Sequence, residues 1–105
     1  MSKSQIITNP DWLENPHAGE MLVSEFMEPL DLDASALAEA IGLPTANLAA
    51  VIDGREPMSG ELDLRLTRYF QMSEGFFFRL QVQYELLEAK RALNGELDRI
   101  VPRAA

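Results

Sequence analysis

The segment ASALAEAIGLPTANLAAVID, residues 34–53, constrains the fold more than any other stretch of this chain. Two short helices that cross steeply through a tight turn need a small residue at the crossing, and Ala38 stands there. The turn needs a residue that tolerates positive φ, and Gly42 follows four positions later. Leu37, Ile41, Leu43, Leu48 and Val51 fall at the spacings that pin both helices to one core. Each feature is common alone. Together, at these offsets, they predict a helix-turn-helix unit; the alternative is an αα-hairpin in some other bundle.

The flanking sequence carries helix start and stop signals. A first helix is expected from about Ala18 to Glu28, with Leu22, Val23, Phe26 and Met27 on adjoining turns and Pro29 as the stop. Asp33 is a good N-cap for the second, which Gly42 ends. The third starts at Pro44 or Thr45 and ends near Asp53-Gly54. Ser59 caps a fourth, whose Leu62, Leu66, Tyr69 and Phe70 share a face. Ser73 caps a fifth and longest, reaching Leu93 before Asn94-Gly95. A short turn around Glu96 to Val101 follows. No segment alternates with a period of two, so the fold class is all-α. The expected organisation is an N-terminal arm over 1–17, a helical domain over 18–93 and a short tail over 94–105.

At 105 residues, 47% of them hydrophobic, the chain has room for one core without metals or disulfides. Cysteine is absent, which removes thiolate zinc sites and thiol nucleophiles and suits a reducing cytoplasm. No apolar run approaches the roughly 20 residues that span a bilayer. The N-terminal stretch, with Lys3 but no continuous apolar core, does not read as a secretory leader. A cytoplasmic protein with no membrane partner is expected. The net charge of −8 disfavours polyanions and favours a basic protein partner.

Catalytic chemistry is not expected. His17 is the sole histidine, so no histidine cluster can form, and its expected role is packing rather than catalysis. Glu85 and Glu88 share a helical face without a basic neighbour or cofactor motif, and read as solvated. Trp12 reads as a packing anchor. Neither a Gly-rich phosphate loop nor a nucleophile or zinc-protease motif is present, so no catalytic, cofactor or metal site is assigned.

Several short motifs in order resemble the HigA (VapI-type) antitoxins of the Cro/cI-like, or lambda-repressor-like, helix-turn-helix class. They are Asn15-Pro16-His17-Ala18-Gly19-Glu20, Glu25-Phe26-Met27-Glu28-Pro29-Leu30, the 34–53 segment, Asp53-Gly54-Arg55, Leu64 through Phe70, and Phe76 through Gln81. The resemblance covers about residues 15–92. It implies a five-helix DNA-binding domain that binds operator DNA as a homodimer and neutralises a small, basic ribonuclease toxin of RelE-like fold.

In that arrangement the third helix enters the major groove. Its outward positions, by the pinning pattern, are Thr45, Ala46, Asn47, Ala49 and Ala50, with Arg55 beyond as a phosphate contact. The family usually places Arg, Asn, Ser or Gln on this face and an Asn-Gly-Arg-Arg-like string after it. Here Asn47 can read adenine, Thr45 can touch a phosphate or thymine methyl, and the alanines can meet thymine methyls. Asp53, Glu56, Asp33 and Glu39 oppose the one cation, so a shallow salt dependence is expected.

The fifth helix has two apolar stripes at 100° per residue. Phe76, Phe77, Leu80, Tyr84 and Leu87 form one. Phe78, Val82, Leu86, Ala89 and Leu93 form the other, separated from the first by Gln81, Glu85 and Glu88 on one side and by Gln83, Arg79 and Lys90 on the other. One stripe covers the core; the second marks a homodimer interface, unless the helix is buried on both sides. Three functions fit: an antitoxin-like transcriptional regulator, a stand-alone helix-turn-helix regulator, and an acidic interaction module that no longer binds DNA.

Overall fold

A computed structural model describes residues 14–104, so Trp12 and most of the expected arm lie outside the described residues. Five helices follow in order: α1 (Ala18–Leu22, continued by a π-turn Val23–Met27), α2 (Ala34–Ile41), α3 (Thr45–Ile52), α4 (Gly60–Phe70) and α5 (Phe76–Leu93). A single 3₁₀ turn, Glu96–Arg99, closes the series, and no strand occurs among the described residues. No helix there is long and apolar enough to cross a membrane.

α1 begins at His17, whose Nδ1 accepts the Gly19 N–H at 3.0 Å, while Glu20 reaches back to the His17 N–H at 3.0 Å. Each side chain satisfies a donor that the helix leaves free, a reciprocal cap. The end of the expected arm is also held. Asn15 donates to the Tyr84 carbonyl and to Glu88, both at 3.0 Å. The first helix departs from regular geometry before Pro29. Glu28 donates to the Val23 carbonyl and Leu32 to the Met27 carbonyl, both at 2.9 Å and both five residues back. This wider turn buries Met27 five positions after Leu22, a spacing that regular helical periodicity does not supply.

The core gathers Leu22, Leu37, Ala38, Leu48, Leu66 and Phe77, all fully buried, with Met27, Ile41, Val51, Met58 and Leu62 around them. Burying each large side chain stabilises by about 1.5–3 kcal/mol. Phe26 binds the last two helices to the first: its ring lies 5.0 Å from Phe70, 5.1 Å from Phe77 and 5.8 Å from Phe76, centroid to centroid. Tilted and edge-on rings at these separations add attraction beyond burial. Tyr69 does not share the buried face of α4 but lies exposed beside Phe70. One residue of rotation from Phe70 takes it off the inward stripe.

Two expectations about α5 need correction. Ser73 does not cap it with its side chain. Gly75 stands at the cap with φ of 91°, and the acceptor is the carboxylate of Asp63, from α4. Gln81 does not separate the stripes at the surface. It is buried, its Oε1 accepting the Met58 N–H at 3.1 Å and its amide donating to Glu85 at 2.9 Å. A buried amide with both ends bonded costs little, and it anchors the strap between α3 and α4.

Candidate nucleic-acid interface

α2 and α3 meet as the 34–53 segment requires. Asp33 caps α2 by accepting the Ala36 N–H at 2.8 Å. Gly42 adopts φ of 78°, and Leu43 donates back to the Ala38 carbonyl at 2.9 Å, which closes the helix end. Ala38 is wholly buried. Arg65 adds a clamp that no local pattern announced. From α4 it donates to the Ile41 carbonyl at 2.7 Å and pairs with Glu61 at 3.1 Å. A guanidinium at that carbonyl meets the negative end of α2 and fixes the turn that aims α3.

α3 starts after Pro44, whose extended backbone (φ −63°, ψ 143°) leaves its carbonyl to accept the first helical bonds. Leu48 and Val51 hold one side in the core. Thr45, Ala46 and Asn47 are exposed on the other, while Ala49 and Ala50 are half-buried. The six residues expected to face DNA therefore split: the N-terminal three and Arg55 are open, and the two later alanines are flanking. A groove of about 450 Å³ runs beside α3, lined by Ala46, Asn47, Ala50, Glu56, Pro57 and Glu61 among others.

The electrostatics of this face are unusual. Arg55 is largely exposed and pairs with Asp53 at 3.1 Å. Both partners of that pair are solvated, so it holds the guanidinium with at most about 1 kcal/mol and yields readily to a phosphate. Residues 4–54 contain no Lys or Arg. Among the described residues, no group of three histidine, aspartate or glutamate side chains could hold a metal ion.

On the expected second stripe of α5, Phe78, Val82 and Leu86 are 43%, 42% and 57% exposed, Ala89 is exposed and Leu93 half-buried. On the first stripe, Phe77 is buried and Phe76, Leu80, Tyr84 and Leu87 half-buried. The buried residues that the sequence did not mark are Met58, Asp63, Thr67 and Gln81. Asp63 and Gln81 look like ordinary polar residues of a helix, and only the packed structure reveals their distant partners, the start of α5 for Asp63 and the Met58 N–H for Gln81.

Five helices around one core, with the second and third forming an α-turn-α unit whose last helix presents its N-terminal half outward, define the lambda-repressor-like helix-turn-helix class. No protein-family profile matches the chain. It is 31% identical over 84 residues to the helix-turn-helix-type transcriptional regulator YbaQ of Escherichia coli strain K12, spanning 78% of this chain and 74% of that one. It is 32% identical over 72 residues to virulence-associated protein A of Dichelobacter nodosus, spanning 68% and 71%. A Pseudomonas aeruginosa protein solved in complex with its operator DNA superposes with a TM-score of 0.82 at 30% identity, over 88% of this chain and 98% of that one. The Pseudomonas aeruginosa antitoxin HigA, solved with the higBA promoter, gives 0.78 at 27% identity, over 88% and 100%. The chain belongs to the HigA (VapI-type) family of helix-turn-helix transcriptional regulators, and is not an enzyme.

Proposed function

We propose that this protein is an antitoxin-like transcriptional regulator that binds operator DNA as a homodimer and neutralises a basic toxin of RelE-like fold. The observation that carries the DNA reading is the exposed face of α3, Thr45, Ala46 and Asn47, backed by buried Leu48 and Val51 and followed by exposed Arg55. Asn47 is the side chain there able to form a bidentate contact with adenine, and Arg55 supplies a cation for a phosphate beyond the helix. Relatives of the same fold were solved with operator or promoter DNA, which supports the assignment.

A homodimer supplies the second recognition helix that a palindromic operator needs. The exposed stripe of Phe78, Val82 and Leu86, continued by Ala89 and Leu93, is the surface proposed for it. The net charge of −8 supports a basic partner, because complementary fields speed encounter. Titration of the duplex lying upstream of its own gene at low salt tests the DNA reading. Saturable binding that outcompetes random duplex supports it, and binding indistinguishable from random duplex rejects it.

The uncharged α3 face, flanked by Asp53, Glu56 and Glu61, favours a second reading, an interaction module on a DNA-binding fold. That reading predicts no duplex binding at any salt, and tight association with a small basic protein. A short neighbouring reading frame for such a protein, co-purifying with this chain, separates the antitoxin from a stand-alone regulator.

A further inference from the structure

The loop that carries Arg55 is held by the end of α3, by the Met58–Gln81 hydrogen bond at its far end, and by one contact from outside the helix-turn-helix unit at Gly54. On one side the end of α3 holds it. Gly54 donates to the Val51 carbonyl at 3.1 Å, and Arg55 and Glu56 both donate to the Ala50 carbonyl, at 2.9 and 3.1 Å. On the other side lies His17. A Cβ on Gly54 would stand 3.0 Å from its Nε2 and 3.4 Å from its Cδ2, so the imidazole edge abuts the Gly54 backbone.

The ring is itself fixed. Its Nδ1 holds the Gly19 N–H at 3.0 Å, Nε2 is 3.9 Å from the Glu20 carboxylate, and Tyr84 of α5 meets it edge-on at 5.9 Å. A cavity of about 140 Å³ lies between His17, Tyr84, Gln81 and the Arg55–Pro57 stretch. Helix capping alone does not call for histidine here, since Asn, Asp and Ser are the preferred N-caps. What those shorter side chains lack is a ring that spans from α1 to the Gly54 backbone.

We propose that His17 is a positioning residue for Arg55: its ring, braced by Tyr84, sets the height of the Gly54–Pro57 loop and so aims the guanidinium at a DNA phosphate. Without the ring, its volume joins the cavity already present, and the loop loses its inner wall. The loop geometry stands on its own; the delivery of Arg55 to phosphate rests on the DNA reading above.

His17→Asn is the discriminating variant, because asparagine retains a cap for α1 while removing the ring. Amide hydrogen exchange in the free protein is expected to quicken roughly tenfold at Arg55 and Glu56, with Leu37 and Leu66 unchanged. Affinity for the upstream duplex is expected to fall about three- to tenfold, and adding Arg55→Ala to His17→Asn should weaken binding no further than Arg55→Ala alone. Unchanged exchange at Arg55 and Glu56 overturns the positioning role whatever the DNA result. Losses that multiply in the double variant overturn the route through Arg55. Quickened exchange in a protein whose wild type ignores the duplex upholds the loop geometry and rejects the DNA reading alone. Should His17→Asn fail to fold, Tyr84→Leu removes the brace and leaves the cap; the same two amides must then quicken, and their constancy overturns the proposal.

Discussion

The carboxylate of Asp63, in the first half of α4, accepts the backbone N–H of Phe77, in the first turn of α5, across 2.8 Å. The same carboxylate takes the Gly75 N–H at 2.7 Å and the Phe78 N–H at 2.9 Å, and is itself only 2% exposed. One buried anion thus satisfies three donors that the start of α5 leaves free, and sits at the positive end of that helix. It sets the angle between the helix that closes the core and the helix that carries the proposed dimer surface.

Asp63→Ala strands those three donors in a dry site. Hydrogen bonds to a charged group contribute about 1.5–3 kcal/mol and buried orphan donors add cost, so a loss of roughly 3 kcal/mol is expected. In a domain of this size that lowers Tm by on the order of 10–20 °C. Thermal unfolding followed by circular dichroism checks it, and a shift under a few degrees would contradict the assignment.

Arg55 and Glu56 are expected to move DNA affinity in opposite directions. Arg55→Ala should remove the proposed phosphate contact, weakening binding on all sequences and lowering the salt slope by about 1. Glu56→Gln removes an anion from the rim of the α3 groove, and should strengthen binding most at low salt, where screening is weakest. Fluorescence anisotropy across a salt series reads both. An Arg55→Ala variant with wild-type affinity and slope would misplace the recognition surface.

The outer stripe of α5 is tested by charge. Val82→Glu and Leu86→Glu alter residues that are already exposed within one subunit, so its helical content should persist. Placed in a self-complementary interface, the same carboxylates face their own copies and are desolvated, which dissociates the dimer. Sedimentation should show a dimer for the wild type and a monomer for either variant. A wild type that sediments as a monomer ends the proposal.

Gly19 and Gly42 separate two kinds of glycine requirement. A Cβ at Gly42 meets only Arg65, at 3.2 Å, so the cost of Gly42→Ala is mainly the positive φ, about 1–2 kcal/mol. A Cβ at Gly19 would collide with the backbone carbonyl of Val51, where α1 abuts the end of α3. A carbonyl in a helix cannot step aside, so Gly19→Ala should cost roughly 3 kcal/mol or more. Denaturant unfolding ranks the two, and the reverse order would mean that the α1–α3 contact is looser than described.

Local chemistry made much of this legible in advance. Asp33, Gly42 and Ser59 act within four residues of themselves, so their capping roles follow from type and position. The pinning of α2 and α3 by Leu37, Ile41, Leu48 and Val51 follows from period alone. The same periodicity separated Phe77 from the exposed Phe78, Val82 and Leu86.

The chain order of residues could decide that five helices form, where most of them begin and end, and which faces are apolar, because those outcomes depend on neighbours within one or two turns. It could not decide that Asp63 caps α5 from twelve residues away, that Gln81 ties down Met58 across 23, or that His17 abuts Gly54. Those partners are chosen only when separate helices pack, and a polar side chain at a helix surface has the same local signature whether water or another helix covers it.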